Sequence, residues 1–135
     1  MNFKNNIATT REQSQRLLDL GLNPATADMV LSPEDHPMCT PYSQEMPGTY
    51  KERCIPAWSL SRLLEMMPDR AGERTFKIMY PVVGYFSSDI GRFYDDSNIF
   101  ENCVDIIEWL IKGRYFNEEY LKHSNLSNTG KEDAK

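Results

Sequence analysis

Several things are scarce or missing in these 135 residues, and each omission excludes something. There is no run of about 18 apolar residues, so no segment has the length and character of a membrane-spanning helix. Met1 to Thr10 lacks the apolar stretch of a secretory signal peptide, which sets the expected compartment as the cytoplasm. Cysteines are few, odd in number and irregularly spaced (Cys39, Cys54, Cys103), and they suit reduced thiols better than a disulfide framework. Positive charge is in deficit, with 15 Lys+Arg against 20 Asp+Glu and a net charge of −5, so nonspecific attraction to DNA is missing. The patterns G-x-S-x-G, G-x-x-x-x-G-K-[ST] and G-x-G-x-x-G do not occur, which removes the common hydrolase, nucleotide and dinucleotide fingerprints.

What remains is an ordinary globular composition, 40% hydrophobic and 26% charged. A chain of this length hides about two-thirds of its unfolded surface around one core and needs no metal or disulfide to hold it. A single domain is expected over residues 1–124, with residues 125–135 as a disordered polar tail and no internal repeat.

Helix signals are local and readable. Thr10 and Gln13 fit a capping box, and Gly21 marks the end of that helix. Leu17, Leu18 and Leu20 give it an apolar C-terminal half, with Arg11, Glu12, Gln15 and Arg16 expected in solvent. Asn23 and Pro24 predict a short second helix through Asp28, followed by buried Met29, Val30 and Leu31. Ser59 predicts a third helix carrying Leu60, Leu63, Leu64 and Met67, stapled by Trp58 and Leu63 and stopped by Pro68. Asn98 and Glu101 fit a capping-box pattern at the start of the longest helix, and Gly113 lies just past its end. Its residues Glu101, Asp105, Glu108 and Lys112 form one polar stripe expected to be solvated, and the rest of its circumference is almost wholly apolar, so it belongs at the centre of the domain or also at an oligomer contact. Asn117 caps a last short helix.

Between Ser32 and Ala57 lie five of the eight prolines, which predicts a long irregular connection with at most one short edge strand. Alternation of Phe76, Ile78 and Tyr80 with Lys77 and Met79 predicts a half-buried strand that Pro81 and Gly84 end or bend. Tyr85 and Phe86 begin a second extended run, and Arg92 to Tyr94 continue it or form a third strand, with Ser87, Ser88, Asp89 and Gly91 in the turn. The expected class is therefore α+β, about four helices packed around a small two- to three-stranded antiparallel sheet.

Three stretches, TREQSQRLLDLGLNPATADMV, IPAWSLSRLLEMMP and NIFENCVDIIEWLIKGRYFNEEYL, together span roughly half of the chain. They resemble a family of small uncharacterised bacterial proteins associated with prophages and mobile elements. The resemblance implies an architecture and a genomic setting, and carries no activity or site residues.

Each candidate chemistry has a plainer competitor. The first two helices resemble a helix-turn-helix, but Pro24 to Leu31 offers only Thr26 and the anionic Asp28 to a base edge. His36, Cys39 and Cys54 would supply three zinc ligands where a structural site needs four, and the other histidine, His123, sits beside the tail. A Cys–His dyad has nothing to fix its geometry, and the acids Asp95, Asp96, Glu101, Asp105 and Glu108 suit a helix start and a solvated stripe. The reading is a cytoplasmic protein-binding module of prophage or mobile-element origin, monomeric or homodimeric, without catalytic residue, cofactor, metal, nucleic acid or membrane partner. Its expected contact residues are Met38, Tyr42, Met46 and Tyr50 in the connection, where tyrosines give rigid anchors and methionines adaptable contacts. A helix-turn-helix DNA-binding or transcription-associated protein is the alternative, and a small enzyme of unknown chemistry the third.

Overall fold

The structure is a computed structural model that describes residues 7–40, 52–88 and 91–122. Among these the fold is α+β, with three α-helices and two antiparallel sheets, of three and four strands. The expectation of a fourth helix and a single sheet is corrected in both respects.

Helix α1 (Arg11–Asp19) starts on a complete capping box: the Thr10 hydroxyl accepts from the Gln13 N–H, and the Gln13 amide oxygen accepts from the Thr10 N–H. It ends where Gly21 adopts φ +104°. There the Leu22 N–H donates to the Leu17 carbonyl (3.1 Å) and the Gly21 N–H to that of Leu18 (3.0 Å), with Leu17 and Leu22 both fully buried. The predicted second helix is only a 3-10 turn, Pro24–Thr26, capped by Asn23. It stops early because Met29–Leu31 is the central strand β1, buried at all three positions and paired on both sides. Tertiary pairing overrides the local start signal.

Strands β2 (Pro37–Met38) and β3 (Ile55–Ala57) flank β1, with Val30 opposite both Met38 and Pro56. The Pro-rich connection thus carries two edge strands where at most one was expected. Pro37 and Pro56 lie on those edges, where a missing N–H interrupts no central ladder. Trp58 locks the sheet to the N-terminus: its N–H donates to Thr9 Oγ1 (3.1 Å), its carbonyl accepts from the Thr9 N–H (3.0 Å), and its indole N–H donates to Thr26 Oγ1 (3.0 Å). Helix α2 (Leu60–Met66) follows on the Ser59 cap, with Trp58 and Leu63 fully buried in one core.

The second sheet runs β4 (Arg70–Ala71), β5 (Arg74–Met79), β6 (Val82–Phe86) and β7 (Gly91–Tyr94) in sequential order. Tyr80 leaves the strand to form, with Pro81, a tight turn containing a cis peptide. Strand β6 starts directly after it and runs through Gly84, where a break had been expected.

Helix α3 (Ile99–Lys112) lies between α1, α2 and the second sheet. Ile106, Ile107 and Leu110 are fully buried with Trp58, Leu63 and Tyr85, which places this helix at the centre of the core. It ends at Lys112 with Gly113 just past it, as expected, but Gly113 is right-handed and Arg114 takes the left-handed φ of +65°. The last predicted helix is again a 3-10 turn, Glu118–Tyr120, fastened to the start of the chain by Asn23 N–H to the Tyr120 carbonyl and Lys122 N–H to the Gly21 carbonyl, both 2.8 Å.

Candidate interaction surface

Of the four contact residues expected in the connection, Met38 falls in β2, half-buried and opposite Val30. Tyr42, Met46 and Tyr50 lie outside the described residues. His36 and Cys39 are exposed, while Cys54 and Cys103 are buried. Burial pushes the Cys103 thiol up to about 12, which removes it as a nucleophile near neutrality. Among the described residues no three His, Cys, Asp or Glu side chains are grouped so as to hold a metal ion. The segment after α1 turns into a strand, so the fold has no recognition helix there.

The polar stripe of α3 is a docking face for α1. Arg16 Nη1 donates to Glu101 (2.8 Å), and Arg16 Nη2 donates to both Asp105 (2.8 Å) and Glu108 (3.0 Å). Gln13, buried, adds a bond to Glu101 (3.0 Å), and Lys112 one to Glu108 (2.7 Å). The hydrogen bond with Asp105, above all, raises the Arg16 pKa, and the hydrogen bonds from Lys112 and then Arg16 hold the Glu108 carboxyl below its usual range. Arg16 and Gln13, not only the leucines, therefore dock α1, which corrects the solvated placement of both Arg16 and the stripe. A recess of about 550 Å³ opens beside Arg16, but the Arg16 and Glu101 groups lining it are already bonded to one another.

The outer face of the four-stranded sheet is different, because its side chains have no layer over them among the described residues. Register assigns Lys77, Met79, Val82, Gly84, Phe86, Gly91 and Phe93 to that face, and Val83, Tyr85 and Arg92 to the face toward α3. Gly84 lies opposite Phe93, and Gly91 opposite Phe86. A Cβ on Gly84 would sit 2.5 Å from the Phe93 Cβ, and one on Gly91 would sit 2.6 Å from a Phe86 ring carbon. Each phenylalanine thus lies over the glycine across from it, and the two rings stack at 5.7 Å between centroids. The result is a flat apolar shelf, extended at the hairpin end by Met79 (57% exposed) and Tyr80 (72%). Phe93 is 48% exposed. The signal was in the sequence as two G-x-F triplets, Gly84-Tyr85-Phe86 and Gly91-Arg92-Phe93, legible only once antiparallel pairing is assumed.

At the border between sheet and helix, the half-buried Trp109 ring gathers two guanidiniums, Arg74 at 5.8 Å and Arg92 at 5.7 Å from its centroid. Tyr115 (5.2 Å) and Tyr85 (5.9 Å) complete the surroundings of the ring. Comparison with protein-family models, with curated proteins and with solved structures returned no match.

Proposed function

We propose that the protein is a protein-binding module, and that the shelf formed by Phe86 and Phe93 with Met79 and Tyr80 is its contact surface. The observation that carries this is the paired Gly–Phe arrangement, which turns an uncovered sheet face into a continuous apolar platform. Large apolar side chains exposed side by side on a domain that has a full core elsewhere mark an interaction site. Arg70 and Lys77 border the platform, and no acid occupies an outward position on β4 to β7 among the described residues. The partner that fits is another protein presenting an apolar surface edged by carboxylates. The family resemblance supports a prophage or mobile-element setting for that partner.

The test uses a photo-crosslinking amino acid at Phe93, at Tyr50 in the connection and at Glu12 on the far helix, in the full chain inside its host. Crosslinking to one discrete protein from position 93 alone, lost in a Met79→Lys/Tyr80→Ser variant of unchanged melting temperature, is the expected result. Capture from position 50 alone would move the contact surface to the connection. Equal capture from all three positions would overturn the proposal.

A further inference from the structure

We propose that Arg74 and Arg92, gathered on Trp109, form a binding site for a phosphate group, separate from the contact surface above. Two like charges converge on one indole ring, and cation–π attraction offsets only part of their repulsion. Three arginines of the fold are neutralised: Arg11 has Asp35 at 2.6 Å, Arg62 has Glu65 at 3.0 Å, and Arg16 has three carboxylates within 3.0 Å. Arg74 and Arg92 have no carboxylate partner among the described residues. The Arg74 Nε is in addition buried with no hydrogen-bond acceptor, a donor that costs free energy until an acceptor reaches it. On the same helix Asp105 and Glu108 are held by Arg16 and Lys112, and Asp69, the acid that acts on Tyr85, makes no ion pair with either arginine.

The surroundings define the ligand. Two guanidiniums lie over the indole, and the Tyr85 and Tyr115 rings stand tilted 5.9 and 5.2 Å from it, so the groups brought together here are cationic forks on an aromatic wall. Tyr115 lies against two glycines: a Cβ on Gly113 would meet its ring at 2.8 Å, and one on Gly72 would lie 3.6 Å from it. The polar element at this wall is guanidinium, whose forked N–H groups match an oxyanion. Two such forks suit a dianion with several acceptor oxygens better than a single carboxylate. A free phosphate ion and the phosphomonoester of a small molecule share that chemistry.

Titration of the full chain with inorganic phosphate and, separately, with glycerol 3-phosphate, at ionic strength held constant with sodium chloride, decides the matter. Trp58 is fully buried and distant in sequence, so a saturable change in tryptophan emission reports Trp109. Emission change and a rise in melting temperature are both expected, with affinity weakened more than about tenfold in Arg74→Gln and in Arg92→Gln. Arg92 is exposed, so its variant keeps the test valid if Arg74→Gln fails to fold. Tighter binding of the ester assigns a metabolite, and tighter binding of the ion assigns free phosphate. No saturable change, or the same change in an Arg74→Gln/Arg92→Gln double variant, overturns the site.

Discussion

Asn102 occupies the most apolar helix of the chain without any exposure to solvent. Its amide is used from both ends: Oδ1 accepts from the Asp96 N–H (2.8 Å), and Nδ2 donates to the carbonyls of Pro81 (2.8 Å) and Asp96 (2.7 Å). One side chain thereby ties the β5–β6 turn and the approach to α3 onto the helix. Asn102→Ala leaves three backbone groups without their partner and should cost about 2 to 4 kcal/mol in denaturant melts. A loss below about 0.5 kcal/mol, typical of surface positions, would show that these groups find replacement partners. Single-residue signals of the capping kind were legible in advance at Thr10, Asn23, Ser59 and Asn98, because a cap depends only on its own first turn. Asn102 gave no such signal, since its partners lie six and twenty-one residues away. Arg114 was missed for a related reason: the Tyr115 ring occupies the space beside Gly113, and the left-handed turn falls one residue later.

At the scale of elements, α1 and α3 are joined by charge as well as by leucine. The Glu101 carboxylate, expected to complete a capping box with Asn98, accepts instead from Gln13 and Arg16 across the helix pair. Neutralising Arg16 by Arg16→Gln leaves Glu101, Asp105 and Glu108 facing one another at helical spacing, and should lower stability by about 1 to 2 kcal/mol at pH 7 and low salt. The pH dependence has a definite sign. Glu108 is held below its ordinary value, so its contribution is complete above that value, near 4.5, and is lost as pH falls through the lower folded value. Arg16 is shifted upward from its ordinary value and stays charged throughout the working range. The gap between wild type and variant should therefore narrow below about pH 4 and shrink in high salt, which urea melts across pH and ionic strength will measure. A gap that persists at low pH and high salt would make the arginine's role one of packing. The stripe itself was visible in the sequence from its spacing of four, three and four. Its facing partner was not, because helical periodicity gives a face and never names what covers it.

At the scale of the whole molecule, α3 is the post around which the four-stranded sheet and the other two helices are arranged, while the three-stranded sheet packs on α1 over a small core of its own. Ile107 is fully buried on it, and Ile107→Ala should open a cavity costing about 2 to 5 kcal/mol, read from the shift in denaturant midpoint at constant slope. The centrality of this helix could be deduced from its composition alone. The antiparallel run of β5, β6 and β7 was legible too, from alternation and turn residues, but the three-stranded sheet was not: β1 meets β3 across more than twenty residues of sequence, and strands of two or three residues are too short to show a period. The shelf went unread for the same reason, since glycines on one strand and phenylalanines on the next come together only in register. That register has a further result for the connection. Leu31 and Ile55 are direct partners, so the two ends of the connection are held at adjoining points of the first sheet. Closing a loop between neighbouring points grows dearer only with the logarithm of its length, and the strand pairing holds those points whatever lies between. The pairing of Leu31 with Ile55 therefore keeps both ends of the connection in place when its length is changed.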